Sequence, residues 1–152
     1  MARTRRLLPA DVAVVFGALT TPETYPLWLV GCQDIRSVDD GWPAPGTAFH
    51  HRVGLTAGVT VADATEVLEV EAPHRLVLHV RARPFGRGRV TFRLTPTADG
   101  TEVEVDEVPV GPMGLLTPVL DPFTDRRNAR SLLRLERYLV ARQAQGVGTG
   151  RG

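Results

Sequence analysis

His51 and Asp63 are the residues whose type and position in this sequence could perform acid–base chemistry. Residues 47–55 alternate in hydrophobicity, and the alternation places His51 on the apolar side. Residues 59–71 turn Asp63 to the inside in the same way, and Glu107 continues the apolar side of a later strand. A buried imidazole beside a buried carboxylate can transfer protons, because burial and pairing shift both pKa values. The alternative is that these are hydrogen-bonded polar groups at a cavity rim. A β-bulge in the strand at 59–71 would turn the carboxylate of Asp63 outward.

Apolar residues on the inner sides of the strands and of the last helix would form the wall of a cavity. An apolar ligand gains roughly 0.8 kcal/mol per buried methylene group, so such a wall can bind one without a polar anchor. The alternative is that the same residues pack a closed core, because the two arrangements look alike in a sequence. The predicted wall consists of Phe49, Val53, Leu78, Val80, Phe92, Val105, Leu132 and Leu135, with Trp28 and Leu116 at the mouth.

The remaining reactive side chains predict no metal site and no cofactor. Cys32 is the only cysteine, so an internal disulfide is impossible, and its place after a helix predicts an inert buried thiol. The other histidines, at positions 50, 74 and 79, are expected in solvent or turns and do not converge. Trp42, in a loop beside Pro43, is a lid over the cavity or a residue of the loop packing.

The basic residues are all arginine, and lysine is absent. Because arginine codons are rich in G and C and lysine codons are not, this bias indicates a bacterial genome of high GC content. The formal net charge is +1, which gives no electrostatic case for binding nucleic acid. A basic patch on the outer side of adjacent strands is therefore read as a solvated surface; it comprises Arg81, Arg83, Arg87, Arg89 and Arg93.

The chain length and the hydropathy pattern predict one cytoplasmic domain. Residues 1–145 fit a single core, and the Gly-rich residues 146–152 are expected to form a flexible tail. Pro9 and Asp11 interrupt the apolar run near the N-terminus, which is unfavourable for a signal peptide. No stretch approaches the roughly 20 apolar residues of a membrane span.

Periodicity predicts a strand, two short helices, a meander of strands and one long helix. The predicted strands are 3–8, 34–39, 47–55, 59–71, 75–83, 89–96 and 101–108. Asp11 and Pro22 are placed at the starts of the short helices, and Asp121 is placed as the cap of the long one, which is expected to end near residue 144. Its apolar stripe is read as Ala129, Leu132, Leu133, Leu135 and Leu139.

Five short motifs in this order resemble those of the START/Bet v 1-like (SRPBCC) superfamily, and within it the polyketide cyclase/dehydrase and lipid-transport family. The resemblance extends from about residue 3 to 143. The motifs are Leu8-Pro9-Ala10, Pro22-Glu23-Thr24-Tyr25-Pro26-Leu27-Trp28, Pro45-Gly46-Thr47-Ala48-Phe49, Glu71-Ala72-Pro73-His74-Arg75-Leu76-Val77 and Asp99-Gly100-Thr101-Glu102-Val103.

The resemblance implies an α+β helix-grip fold, in which a curved antiparallel sheet wraps a long C-terminal helix around a cavity. It implies no single activity. The leading hypothesis is a protein that binds a hydrophobic small molecule such as a polyketide, a lipid or an isoprenoid. The alternatives are a cyclase or dehydratase that uses His51 and Asp63, and a protein-interaction module. A monomer and a homodimer both stay open, since the strand at 34–39 could pair between copies.

Overall fold

The computed structural model describes residues 2–56, 58–82, 86–111 and 117–148, which form one antiparallel sheet and a long C-terminal helix. The strands are β1 (Ala2–Leu8), β2 (Cys32–Val38), β3 (Ala48–Thr56), β4 (Val59–Glu71), β5 (Arg75–Ala82), β6 (Gly86–Thr97) and β7 (Gly100–Val110). The helices are α1 (Val12–Leu19), α2 (Tyr25–Trp28), which follows a 3-10 turn at Pro22–Thr24, and α3 (Thr117–Gly148).

The sheet order is β1-β7-β6-β5-β4-β3-β2, and all neighbouring strands are antiparallel. Strands β2 to β7 form a meander, while β1 returns to pair with β7. Helices α1 and α2 therefore carry the chain from one edge of the sheet to the other. Helix α3 packs against β1, β7 and α2, and covers the apolar side of the sheet. The predicted helix-grip fold class is confirmed.

The β6–β7 hairpin meets the end of β1 so closely that only glycine fits at position 100. Gly100 has a φ of +142°, and a Cβ atom there would lie 2.1 Å from the carbonyl oxygen of Leu8. The Thr101 hydroxyl donates to the carbonyl oxygen of Ala10 at 2.8 Å in the same corner. These contacts fix β1 beside β7, where helix α3 packs on both strands.

A bulge in β4 determines which of its residues point into the protein. The register with β5 shifts between Val67 and Glu69. Before the shift, Asp63 and Thr65 lie on the inner side with Val67, and after it Val70 packs against the core. The bulge lies beyond Asp63, so this carboxylate keeps the inward position predicted by alternation.

Helix α3 begins earlier and ends later than the sequence pattern predicts. It starts at Thr117, so Asp121 is not its cap, and Pro122 lies inside it. Pro118 occupies the first turn, where its missing N–H has no partner within the helix to lose. At the other end the helix continues to Gly148, and residues 149–152 of the predicted tail lie outside the described residues.

The buried face of α3 is rotated relative to the predicted stripe. Ala129 is exposed, whereas Asn128 and Ser131 are buried with three leucines of the stripe, Leu132, Leu135 and Leu139. The helix therefore presents two polar side chains to the inside of the protein, next to the leucines. No helix among the described residues is both long and apolar enough to cross a lipid bilayer.

The outer side of the sheet carries an ion-pair network centred on Asp106. Arg3 donates from Nε to Asp106 Oδ1 at 2.8 Å, and Arg93 donates from Nη1 to Oδ2 at 2.5 Å. Arg93 also contacts Glu104, while Arg75, its partner across β5 and β6, pairs with Glu69. Burial by itself raises the pKa of Asp106, but its hydrogen bonds to the two arginines and their charges outweigh burial and lower it.

Candidate functional site

A cavity of about 330 Å³ lies between the sheet and helix α3. This volume is at the small end of the range for ligand pockets, roughly 300–1,000 Å³. Its walls come from α2, the segment after α2, the first residue of β2, strands β3 to β7, and α3. Strands β3 and β7 are four positions apart in the sheet, about 19 Å along its surface. Because both line one cavity, the sheet must curve around it.

Most of the predicted wall residues do line the cavity. Their side chains come from the inner sides of the strands and from α3, as alternation and the helical stripe indicate. The predicted residues found in the wall are Trp28, Val53, Leu78, Val80, Phe92, Val105 and Leu132. That these residues bind a ligand stays a prediction.

Phe49 and Leu135 were expected in the wall but pack in the closed part of the core. Phe49 is surrounded by aromatic rings: Tyr25 at 4.9 Å, Trp42 at 5.2 Å and His51 at 5.3 Å between ring centroids. These rings fill the space around Phe49 and leave no room for a ligand on that side.

Trp28 lines the inner wall and does not form the mouth, because only 1% of its surface is exposed. Its indole Nε1 donates to Thr24 Oγ1 at 3.1 Å, and its ring packs against Tyr25 and Phe92. Trp42 belongs to the loop packing, since its Nε1 donates to the carbonyl oxygen of Thr20 at 2.7 Å and its ring lies outside the cavity. Leu116 lies outside the described residues.

His51 is the candidate acid–base residue that reaches the cavity. Its side chain is buried, with 3% exposure, and its Nε2 lies 3.1 Å from Thr65 Oγ1. Its Nδ1 is buried without a hydrogen-bond partner among the described residues. Burial lowers the pKa of His51, the nearby Asp63 carboxylate opposes this effect, and His50 adds to it. The imidazole is therefore neutral near pH 7.

Asp63 lies directly opposite His51 in the β3–β4 pair and is buried, but it does not line the cavity. Its Oδ1 accepts a hydrogen bond from the backbone N–H of Ala64 at 2.9 Å. The two predicted catalytic residues are thus neighbours on the inner side of the sheet, and only the imidazole borders the space where a substrate would lie. Asp63 influences the cavity through the electrostatic field that it exerts on His51.

A second polar group lines the opposite wall, where β7 faces α3. Asn128 donates from Nδ2 to Glu107 Oε2 at 3.2 Å, and Arg127 donates to the same oxygen. Asn128 is 6% exposed, whereas the side chain of Arg127 is 41% exposed, so the cluster runs from the interior to the surface. The inward Glu107 agrees with the strand pattern, but its two partners on α3 were not anticipated.

The segment that follows α2 forms one side of the cavity and is tied to α3. The backbone N–H of Val30 donates to Ser131 Oγ at 3.1 Å, and both residues line the cavity. Cys32 lines it as well, and burial, followed by the charge of Asp34, raises the pKa of its thiol to about 11. The thiol is therefore protonated at neutral pH, which agrees with the prediction of an unreactive cysteine.

The entrance of the cavity is marked by two exposed lining residues, Arg87 and Phe123, and by two half-buried ones, Arg81 and Arg127. Phe123, in the second turn of α3, is 72% exposed. Sequence reasoning missed this set because alternation places the side chains of Arg81 and Arg87 on the outer side of the sheet, and the β5–β6 register agrees with that, although both residues border the cavity. The signal that could have found them is their position at the end of β5 and the start of β6, where the inner side meets solvent.

Among the described residues, no group of three His, Cys, Asp or Glu side chains comes together as a metal site. The cavity instead offers an apolar chamber with a neutral imidazole on one wall and a carboxylate, an amide and a guanidinium on the other. This arrangement can hold a mostly apolar molecule and form a few oriented hydrogen bonds with it.

Comparisons with known proteins identify the family of the chain and structures that share its fold. Residues 2–140 match the family model described as polyketide cyclase/dehydrase and lipid transport. A crystal structure of a protein from Nitrosomonas europaea is similar at 23% identity and a TM-score of 0.75, covering 92% of this chain and 94% of that one. Ara h 8.0201 is similar at 15% identity and a TM-score of 0.70, covering 91% and 96%.

DynU16, a protein of the dynemicin biosynthetic locus, is similar at 24% identity and a TM-score of 0.64, covering 91% of this chain and 46% of that one. At these identities the structural likenesses show a shared fold alone. No curated protein sequence matches the chain.

Proposed function

Because the chain belongs to the polyketide cyclase/dehydrase and lipid transport family, we propose that it binds a hydrophobic small molecule in the cavity between the sheet and α3. The ligand is of the polyketide, lipid or isoprenoid type. The observation that carries the proposal is the cavity itself, about 330 Å³ of space lined mainly by apolar side chains. Unfilled apolar space costs stability, about 24 cal/mol per Å³ in a reference series, so a cavity that persists is commonly one that a ligand occupies.

The size of the cavity limits the affinity that apolar contacts alone can provide. Ten buried methylene groups would contribute about 8 kcal/mol. Association costs at least about 4 kcal/mol in lost freedom of motion, which leaves a Kd near 1 mM. A useful affinity therefore requires polar contacts, and the imidazole of His51 on the inner wall offers one.

The chain offers a direct optical test, because one of its two tryptophans lines the cavity and the other does not. Bromodecanol quenches an indole only on contact. In a Trp42→Phe variant, Trp28 is the sole indole, and we expect saturable quenching by bromodecanol. In the matched Trp28→Phe variant, the remaining Trp42 should not be quenched at the same concentrations. Equal quenching in both variants, or none in either, would refute binding in this cavity.

The geometry around His51 favours acid–base catalysis as a second candidate function. A neutral imidazole on the cavity wall can accept a proton from the carbon between two carbonyl groups, which is the first step of an aldol-type ring closure. If Nε2 donates to Thr65 Oγ1, then Nδ1 is the basic nitrogen. The Asp63 carboxylate opposite His51 stabilises the imidazolium that this step produces.

Deuterium uptake by a simple β-diketone in heavy water tests this second function without knowledge of the natural substrate. A general base of this kind contributes typically 10²–10⁴-fold. We expect His51→Gln to lose that acceleration and Asp63→Asn to lose part of it. As a control, the His79→Gln variant, which changes a residue on the outer side of β5, should catalyse deuterium uptake by the diketone as fast as the original protein does. If His51→Gln matches the original protein, the ligand-binding role stands without catalysis.

A further inference from the structure

Glu107 differs from its neighbour Asp106 in how its two carboxylate oxygens are bonded. On the outer side of the sheet, each oxygen of Asp106 accepts a hydrogen bond from an arginine. On the inner side, Arg127 and Asn128 both donate to the same oxygen of Glu107, Oε2. No residue in the described part of the chain donates to its Oε1. This second oxygen therefore keeps its capacity to accept a hydrogen bond.

The Oε1 atom of Glu107 lies at the cavity, beside strand β6. Gly88 and Val80 are directly opposite each other on β6 and β5, on the cavity side of the sheet. A Cβ atom at Gly88 would have Glu107 Oε1 among its nearest atoms, at 3.7 Å. The Glu107 side chain keeps 17% of its surface exposed, and the residue lines the cavity. Oε1 therefore borders the space that a ligand would occupy.

The charges beside this oxygen favour a neutral hydrogen-bond donor. A ligand carboxylate has no hydrogen to donate and would be repelled by Glu107. A ligand cation would meet the guanidinium of Arg127, which already forms an ion pair with the same carboxylate. A hydroxyl group carries no charge, and its O–H can donate to Oε1. Such a bond is charge-assisted, which makes it roughly twice as strong as a bond between neutral groups.

We propose that the natural ligand carries a hydroxyl group on its apolar body and that this hydroxyl donates to Oε1 of Glu107. This inference rests on the proposed function, since it names the class of hydrophobic ligand. Asn128 and Arg127 are positioning residues, because their bonds to Oε2 hold the carboxylate in place. Glu107 and His51 lie on opposite walls of the cavity, so the hydroxyl determines which part of the ligand faces β7.

Decanol and methyl nonyl ether test this inference, because they are isomers of similar shape and only decanol can donate a hydrogen bond. We expect the original protein to bind decanol at least about tenfold more tightly than the ether, the low end for a hydrogen bond to a charged group. In Glu107→Gln, the amide oxygen should accept the bonds from Asn128 and Arg127, which turns the amide N–H group toward the ligand. An N–H group can donate to either an alcohol or an ether, so this variant should bind both isomers with similar affinity.

The matched control is Glu102→Gln, which removes the same charge from an exposed position of β7 that does not line the cavity. It should keep the preference for decanol. The original protein provides a readout that does not depend on the folding of any variant. When the protein is labelled with an NMR-active carbon isotope, the carboxylate carbon signal of Glu107 should shift with decanol and stay in place with the ether.

Each outcome bears on a different part of the reasoning. Equal binding of the two isomers to the original protein would overturn the hydroxylated ligand and leave the proposed function standing. A preference for decanol that survives in Glu107→Gln, or a carboxylate signal that decanol does not move, would overturn the role of Glu107. If neither isomer binds, the proposed function fails and this inference fails with it.

Discussion

Replacement of Gly88 by leucine should fill the cavity from within the sheet. Gly88 lies in β6 opposite Val80 and lines the cavity. A Cβ atom at this position would have its nearest neighbours, Glu107 Oε1 and the carbonyl oxygen of Val108, at 3.7 Å, which is ordinary van der Waals contact. Because its φ lies outside the left-handed region, a larger residue fits the backbone without strain. The leucine side chain then extends into the space that a ligand would use.

The substitution should change stability and binding in opposite directions. Glycine inside a strand costs roughly 0.5–1 kcal/mol relative to alanine, and burial of the leucine side chain adds to the gain. For a chain of this size a gain of about 1 kcal/mol raises the Tm by roughly 2–4 °C. The four carbons of leucine displace about four methylene groups of the ligand, about 3 kcal/mol, so the Kd for decanol should rise roughly 200-fold.

Calorimetric titration with decanol and thermal unfolding measure the two effects on the same samples. Gly17→Leu is the control, because Gly17 is an exposed residue of helix α1 with open space around it, outside the cavity. It should raise the Tm without changing the affinity, while Gly88→Ala should bind decanol nearly as well as the original protein. A Gly88→Leu protein that is folded and binds decanol with unchanged affinity would refute the placement of the ligand in this cavity.

Three further results are expected. The burial of His51 stabilises the fold only while the imidazole is neutral. This contribution is complete above about pH 6.5 and is lost as the pH falls through the lowered pKa of His51 in the folded state. Urea midpoints should therefore fall more steeply with acidification in the original protein than in His51→Gln, and parallel curves would contradict this. Asp106→Ala should cost about 1.5–3 kcal/mol in urea unfolding, because it removes the carboxylate to which both Arg3 and Arg93 donate, whereas the exposed Glu102→Ala should change stability by less than about 0.5 kcal/mol. Burial raises the pKa of the Cys32 thiol from 9.0 to about 11, so it should react with iodoacetamide about a hundredfold more slowly at neutral pH than an exposed cysteine. Decanol should slow the reaction further because Cys32 lines the cavity, and acceleration by decanol would contradict this.

The strands were predictable because each alternates between apolar and charged residues. The inward positions of His51 and Asp63 follow from that alternation, and it holds because the bulge in β4 lies beyond Asp63. Alternation cannot distinguish a wall residue from a core residue, however. Phe49 and Val53 share one side of β3, yet aromatic rings enclose the first while the second borders the cavity.

The polar part of the site was less predictable because it depends on how α3 is rotated against the sheet. Adjacent residues lie about 100° apart around a helix, so a smaller rotation of the buried face moves Ala129 out and Asn128 in while the leucines stay buried. Hydrophobicity misleads here because the helix buries Asn128 for its hydrogen bond to Glu107, a contact between residues that are distant in sequence. The start of α3 was also hidden, since Pro122 suits a first position as well as Pro118 does.

If the cavity binds a ligand, the hydrogen bond from the Val30 N–H to Ser131 Oγ bears on how that ligand leaves. It joins the segment after α2 to the middle of α3, across one side of the chamber. One such bond contributes roughly 0.5–1.5 kcal/mol, so its rupture is a small step compared with unfolding. Release of such a ligand could then begin with separation of this segment from α3 while the strands of the sheet stay paired. The residence time of that ligand would then depend on a contact apart from His51, so residence time and selectivity could vary independently.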